Sequence, residues 1–382
     1  MKNIAVFFGG VSCEHDISII TGLQVLENLS HKKYNILPVY ITQDGVWFLS
    51  ERKLSVDDFI FFKEKNFCRV CVMPNCKGLF KIKRNKLKVV CEIDCAILAC
   101  HGAGGEDGVL QGLLSMSGIP FTSSGVLGSA ICMDKVVMKE IFKAQNFPIT
   151  DHIFFTEKDY RTNKKSVLGT IKNELSFPVF VKPANLGSSI GINRCESFNS
   201  LEKAIDVAFE YDKKVIIEVA VENLKEINCA CLGDDENVEV SSLEEPISWQ
   251  NFLSFEEKYI HFSKVKYERK KALTISAEMV NKIKNLARTA FRSLCCSGVV
   301  RIDFLINSKT DEIYINEINT IPGSLSSYLW EDKTFAELLD ELITLAIKNH
   351  IERINKKFCY KSAALLAYKN NKQTNKITYK KI

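Results

Sequence analysis

Ile4-Ala-Val-Phe-Phe8, continued by Gly9-Gly10-Val-Ser-Cys-Glu14-His15-Asp-Ile-Ser18, decides the fold class. Five apolar residues in unbroken succession do not alternate as a half-solvated strand would, so the run reads as a strand buried on both faces. The glycine pair turns the chain, and Cys13 to Leu29 reads as a helix. A buried strand that turns into a helix opens a βαβ unit on a parallel sheet. Further strands are expected at Ile36–Ile41 and Ile93–Ala99, a helix at Val109–Met116 and a short strand at Gly118–Phe121. Glu14 falls in the first turn of its helix, outside the carboxyl end of a strand, where ligands bind in such sheets. Complementing the helix dipole is the competing reading.

The chain has 382 residues, of which 46% are hydrophobic and 25% charged. That length suggests about two to four domains of roughly 100–200 residues, with cores that need no disulfide or metal staple. No apolar run approaches the ~18 residues of a membrane span, and the short N-terminal run is no signal peptide. The net charge of +5 is local. Lys356 to Ile382 holds eight lysines and no acid, leaving the remainder net acidic, so a nucleic-acid-binding face is not expected. The fourteen cysteines read as reduced thiols in a cytoplasmic protein. Cys68-Arg-Val-Cys71 lacks a second pair at zinc-ribbon spacing and reads as small buried hydrophobes.

Beyond the first unit, Val126–Ala144 reads as helical. Pro178–Lys182 is a strand, Gly187–Gly191 a loop and Ser200–Tyr211 a helix, with Asn199 and Glu202 as a capping box. Val215–Val219 opens the last unit. Ser241–Lys270 breaks the periodicity and is long for a passive connection, which makes it a candidate active-site loop. Ser276–Cys295 is a helix, Val299–Ile306 and Glu312–Glu317 form a hairpin, and Thr334 with Glu337 caps a closing helix to Ile354.

Besides the segment around Glu14, three others carry chemistry. Val181-Lys-Pro-Ala-Asn-Leu-Gly-Ser-Ser-Ile-Gly191 places Lys182 on a strand before a glycine–serine loop, whose amides and hydroxyls suit an anion. A plain turn is the alternative, and no Walker loop is present. Arg301-Ile-Asp303 shares one strand face, and Glu317-Ile-Asn319 follows on the next strand. Two carboxylates and an amide oxygen without His or Cys suit a hard cation, Mg2+ in particular; a surface ion-pair ladder is the competing reading. His101-Gly-Ala-Gly-Gly-Glu106-Asp-Gly108 lets backbone approach a ligand closely, or is an ordinary glycine-rich turn.

Taken together, in their order along the chain, these segments resemble the D-alanine–D-alanine ligase family of ATP-grasp enzymes, over nearly the whole chain to about residue 355. The resemblance implies an α/β architecture of three domains: an N-terminal parallel-sheet domain at 1–125, a central domain at 126–216 and an α+β C-terminal domain at 217–356, followed by a basic tail at 357–382. It implies ATP-driven formation of a D-alanyl phosphate, attacked by a second D-amino acid, for peptidoglycan precursor synthesis. Lys135, Lys182 and Lys258 then resemble the phosphate-contacting lysines, Glu218 the acid that meets adenine and Glu226 the one that meets ribose. Asp303, Glu317 and Asn319 resemble ligands of Mg2+, with Mn2+ as the alternative ion. Arg301 and Gly323 resemble the groups that stabilise the tetrahedral transition state. Glu14 resembles the holder of the first D-alanine's ammonium, Ser188 and Tyr259 its hydrogen-bonding partners, and His101 a residue beside it. The family also implies small-molecule substrates and a homodimer; the charge and apolar patterns lead to no nucleic acid and no membrane being expected.

One departure stands out. After Asn319-Thr-Ile-Pro-Gly323 the family continues with a Thr-Ser-x-Ser-like run for the second substrate's carboxylate; this chain has Ser324-Leu-Ser-Ser-Tyr328. Ser326, Ser327 and the Tyr328 hydroxyl are the expected donors, and D-serine or D-lactate is the alternative second substrate. A catalytically silent nucleotide binder is the rival from another class.

Overall fold

The computed structural model describes residues 1–84, 86–246, 274–357 and 359–370. The chain opens with β1 (Lys2–Gly9), α1 (His15–Asn28), β2 (Tyr34–Ile41), β3 (Trp47–Leu49), the one-turn helix α2 (Asp57–Ile60), β4 (Cys68–Met73), β5 (Cys76–Lys83), β6 (Lys86–Glu92) and β7 (Cys95–Ala99). The seven strands form one sheet, ordered β6-β5-β4-β3-β2-β1-β7. β1 is buried from Ile4 onward and lies between parallel β2 and β7, as its unbroken apolar run requires. The parallel character ends there. From β2 outward each neighbour is antiparallel, an extension the sequence pattern did not reveal. β6 explains why: nearly all of it is exposed, so it carries no buried period, and its lysines suit a sheet edge. The strand expected at Gly118–Phe121 reduces to a single parallel bridge between Ala96 and Phe121.

α3 (Val109–Met116) follows, then α4 (Val126–Met133) and α5 (Lys135–Ala144). The helix expected over 126–144 is two helices. Asp134 leaves the helical region at φ −91°, ψ 101°, and its carboxylate accepts from the Val136 and Val137 amides. Lys135 thereby starts α5.

The second sheet comprises β8 (His152–Thr156), α6 (Glu157–Glu174), β9 (Val179–Pro183), β10 (Asn193–Cys195), α7 (Phe198–Phe209) and β11 (Lys214–Val219), with strand order β10-β9-β11-β8, antiparallel throughout. α7 begins at Ser197 without a side-chain cap, so Asn199 and Glu202 form no capping box. α6 buries only Tyr160, Leu168 and Ile171, so it carries too little apolar periodicity to stand out in the sequence.

The third sheet contains β12 (Leu224–Gly233), β13 (Val238–Glu244), α8 (Ala277–Ser293), β14 (Gly298–Asn307) and β15 (Glu312–Asn319), ordered β13-β12-β14-β15 and antiparallel. Ser276 caps α8 through the Met279 amide. α9 (Phe335–Ile354) begins with both halves of the Thr334–Glu337 capping box in place. Its Leu338, Leu339, Leu342 and Ile343 enter the same core as β1, β7 and α1, so the end of the chain closes onto its beginning. Residues 247–270 of the candidate loop lie outside the described residues, as do 371–382 of the tail. Among the described residues no helix is long and apolar enough to cross a membrane.

Gly22 shows how closely α1 sits on the sheet: a Cβ there would lie 2.4 Å from Phe8. Alanine would favour the helix by about 1 kcal/mol, but overpacking costs about 1–3 kcal/mol. Gly22→Ala is therefore expected to lower the denaturation midpoint, as chemical unfolding can check.

Candidate active site

Lys182 on β9 and Glu218 on β11 face each other from neighbouring strands, with Nζ 2.7 Å from Oε2. The other carboxylate oxygen of Glu218 lies 3.4 Å from Nζ of Lys139, which α5 brings in. Lys139 also donates to the Thr150 hydroxyl at 3.3 Å. Glu218 and Lys139 are 2% and 1% exposed, so neither charge has water to rely on. Burial alone would push the Glu218 carboxyl up; Lys139 and Lys182, with Lys135 further off, outweigh it and hold it at about 2.

The third sheet supplies the opposing wall. Arg301 donates twice to Asp303, at 2.7 and 2.8 Å, from the same face of β14. Glu317 is the register partner of Asp303, and Asn319 that of Arg301. The Asn319 amide donates to Asp303 at 3.2 Å. The register shifts between Asp303 and Phe304, leaving Asn316 as an extra residue in β15. Consecutive residues normally point to opposite faces, yet Asn316 and Glu317 both line the cleft. The Asn316 oxygen accepts from Lys182 at 3.4 Å, and Glu317 pairs with Lys135 at 3.0 Å. Burial works against the Lys135 ammonium, but Glu317 outweighs it and raises its pKa. Lys135 also donates to the Leu186 carbonyl at 2.9 Å. Lys135, Lys182, Ser188, Glu226, Asp303 and Glu317 are among the residues lining this cleft.

Glu14 from the first sheet closes one end. It is the N-cap residue of α1 but makes no side-chain cap bond there. Its carboxylate accepts from the Ser188 hydroxyl instead. A Cβ at Gly187 would come within 2.9 Å of that carboxylate and one at Gly102 within 2.8 Å, so both glycines are what lets the carboxylate sit between the loops. Ser188 and Ser189 hold φ of 52° and 61°, the conformation that turns the loop here.

His101 lies behind this point. Its Nε2 is 2.8 Å from the Thr21 hydroxyl and its backbone amide donates to Ser18 at 2.8 Å. Burial pushes its pKa down to about 4, so the imidazole is neutral at pH 7. Half-buried Glu106 accepts from the Gly102 amide at 2.8 Å and the Ile321 amide at 2.9 Å. Burial and neighbouring Glu14 push its carboxyl upward.

Gly323 begins a tight helical segment to Leu329, within which Ser324, Leu325 and Ser326 take left-handed φ of 52°, 47° and 51°. Ser326 is fully buried, and its hydroxyl has no hydrogen-bond partner among the described residues. Ser327 is half-buried. The Tyr328 ring, also half-buried, packs against the core of the first sheet. Lys258 and Tyr259 lie outside the described residues. Cys68 and Cys71 both lie on β4, and no group of three His, Cys, Asp or Glu residues able to hold a metal occurs among the described residues.

The cleft therefore brings together Glu14, Ser188, Lys135, Lys182, Glu218, Glu226, Arg301, Asp303, Glu317 and Asn319. Sequence reasoning missed Lys139, although it follows Lys135 by one helical turn on the same face. It also missed Asn316, because a bulge leaves no pattern in the sequence.

Two family models match the chain: "D-ala D-ala ligase N-terminus" over residues 3–124 and "D-ala D-ala ligase C-terminus" over residues 141–344. The chain belongs to the D-alanine–D-alanine ligase family. The D-alanine–D-alanine ligase of Caldicellulosiruptor bescii is 39% identical over 361 residues, covering 93% of this chain and 98% of the relative. The VanG D-Ala:D-Ser ligase of Enterococcus faecalis superposes with a TM-score of 0.77 at 32% identity, over 90% of this chain and 99% of that one. The D-alanine–D-alanine ligase of Coxiella burnetii gives the same TM-score at 27% identity, over 97% and 99%. Membership in this ligase family implies an ATP-dependent reaction with a divalent metal.

Glu218 offers a test of the ion-pair interior. A carboxyl held at about 2 instead of the usual 4.5 contributes about 3 kcal/mol at neutral pH. Because the folded pKa is the lower one, this contribution is full above pH 4.5 and fades as pH falls toward 2. Glu218→Gln is expected to cost about 3–5 kcal/mol at pH 7 through the orphaned lysines. The gap to the parent protein should shrink below pH 4.5 in chemical unfolding.

Proposed function

We propose that this chain is a cytoplasmic ATP-dependent ligase that joins two D-alanines through a D-alanyl phosphate, for peptidoglycan precursors. The observation that carries the site assignment is the contact of Ser188 with Glu14 at the end of a cleft lined by Lys135, Lys182, Asp303 and Glu317. An anchor for an ammonium thus sits beside a place for phosphates. In this reading residues 1–125, 126–216 and 217–356 are three domains, with a basic tail at 357–382.

Glu14, assisted by Ser188 and Tyr259, holds the ammonium of the first D-alanine, with His101 beside it. The carboxylate oxygen of the first D-alanine attacks the γ-phosphorus of ATP in line, and ADP departs. Lys135, Lys182 and Lys258 offset the negative charge on the phosphates, while Glu218 and Glu226 meet adenine and ribose. Asp303, Glu317 and Asn319 form an all-oxygen donor set that fits Mg2+ or Mn2+; the cation supplies charge neutralisation at the phosphates when bound. The amine of the second D-alanine then attacks the acyl carbon. Arg301 and the Gly323 amide stabilise the tetrahedral oxyanion, which collapses to the dipeptide and inorganic phosphate. Ser326, Ser327 and Tyr328 receive the second substrate's carboxylate; the fully buried hydroxyl of Ser326, without a partner among the described residues, supports this placement. Because water would hydrolyse the acyl phosphate, the segment carrying Lys258 and Tyr259 serves as a cover. A homodimer of such units, binding small molecules and not nucleic acid, completes the reading.

The experiment is a substrate panel: ATP, Mg2+ and D-alanine, alone and with D-serine or D-lactate, followed by product mass spectrometry. D-Alanyl-D-alanine as the main product is expected. D-Alanyl-D-serine in its place would move the assignment toward the second reading, which the D-Ala:D-Ser relative and Tyr328 favour. No phosphate release with any D-amino acid would overturn the ligase. Tyr259→Phe is expected to raise the ATP hydrolysed per dipeptide formed, and an unchanged ratio in a coupled phosphate assay would refute its place in the cover.

A further inference from the structure

The turn after β15 is covalently part of the third sheet, yet side chains of the first sheet and its helix hold it. Glu106, in the loop after β7, accepts from the Ile321 amide at 2.9 Å with one oxygen. Its other oxygen accepts from the Gly102 amide at 2.8 Å, anchoring it to its own loop. On the far side of Gly323, the Ser324 amide donates to the Thr21 hydroxyl at 3.3 Å. Thr21 in turn meets Nε2 of His101 at 2.8 Å, and the His101 ring hydrogen-bonds the Ile321 backbone carbonyl. A neutral imidazole accepting from Thr21 leaves the threonine oxygen free to receive the Ser324 amide. Gly323 thus lies between two backbone groups that the first sheet holds.

The same helix sets the other end of the substrate site. Glu14 heads α1, and Thr21 lies seven residues on, about two turns along the same face. The ammonium and carboxyl of an α-amino acid are separated by one carbon. The pocket for the first and the donor for the oxyanion must therefore keep a fixed separation, although two different sheets supply them. A misplacement near 1 Å can cost about a hundredfold in rate.

We propose that Glu106 and Thr21 are positioning residues that hold the Gly323 amide in register with the ammonium site at Glu14. The proposal rests on the reading of Gly323 as an oxyanion donor. Neither residue needs to touch substrate; each acts through the backbone on one side of Gly323.

Steady-state kinetics of the full chain test this, with D-alanine and ATP varied and unfolding followed in parallel. Glu106→Gln replaces one accepting oxygen by an amide group that cannot accept, so one of the two anchoring bonds is lost. Thr21→Val keeps the volume and removes the hydroxyl; Thr21→Ser restores it. Glu106→Gln and Thr21→Val are expected to lose roughly ten- to a hundredfold in kcat, with KM for ATP unchanged, and Thr21→Ser should recover most of the loss. The threonine pair carries the test should Glu106→Gln fail to fold. Unchanged kcat in the folded variants, or equal losses in the serine and valine variants, would overturn the positioning role. So would a fall in melting temperature with kcat per folded molecule intact. Gly323→Pro removes the amide hydrogen, its added ring carbons starting from a Cβ position with no neighbour within 4 Å, at a site preceded by an extended Pro322 and opening a helical segment, and it is expected to abolish turnover. Full turnover there would overturn the Gly323 reading itself and the positioning with it, an outcome distinct from failure of the side-chain variants alone.

Discussion

A buried charge must have a partner, and Glu218 is where this constraint acts most strongly. Its carboxylate is almost fully enclosed, and two lysines face its two oxygens. Removing either side would strand a charge that the interior cannot solvate. The same rule extends outward: Glu317 answers Lys135, and Asp303 answers Arg301. The cleft is therefore a set of internal pairs of opposite charge. Charge of both signs is assembled in advance, which removes reorganisation from the moment of reaction.

These pairs also tie the three sheets together. α5 carries Lys135 and Lys139 to carboxylates on β15 and β11 respectively, and the loop after β9 reaches Glu14 at the head of α1. Local irregularities serve the same end. The bulge at Asn316 turns two consecutive side chains of β15 into one cleft. The left-handed run at Ser324–Ser326 costs of order 1–2 kcal/mol per residue, and hydrogen bonds from outside its own sheet hold its entry. α9 packs into the first core and closes the arrangement from the other side.

Much of this was legible in the residues. The unbroken run Ile4–Phe8 marked a buried parallel strand, and Thr334 with Glu337 marked the start of α9. Arg301 and Asp303, two apart in an apolar-alternating strand, had to share a face. The losses have physical reasons. β6 is exposed and α6 nearly so, and periodicity reports burial, not secondary structure as such. Asp134 split one apolar stretch into two helices by capping the second, a local bond that outweighed the continuous pattern. The excess of positive charge sits in the tail sequence, whereas the cations of the cleft are single, placed side chains.

The sequence by itself determined which residue types the site would contain, the order in which the segments carry them, and the family to which they belong, because strand burial, turn chemistry and oxygen-donor sets are local properties. Only the tertiary structure decided that Lys139 answers Glu218, that Asn316 joins Glu317 in the cleft, and that Glu106 and Thr21 reach Ile321 and Ser324. Each of these contacts joins chain segments whose approach depends on packing and register between sheets and helices, and no local pattern encodes that.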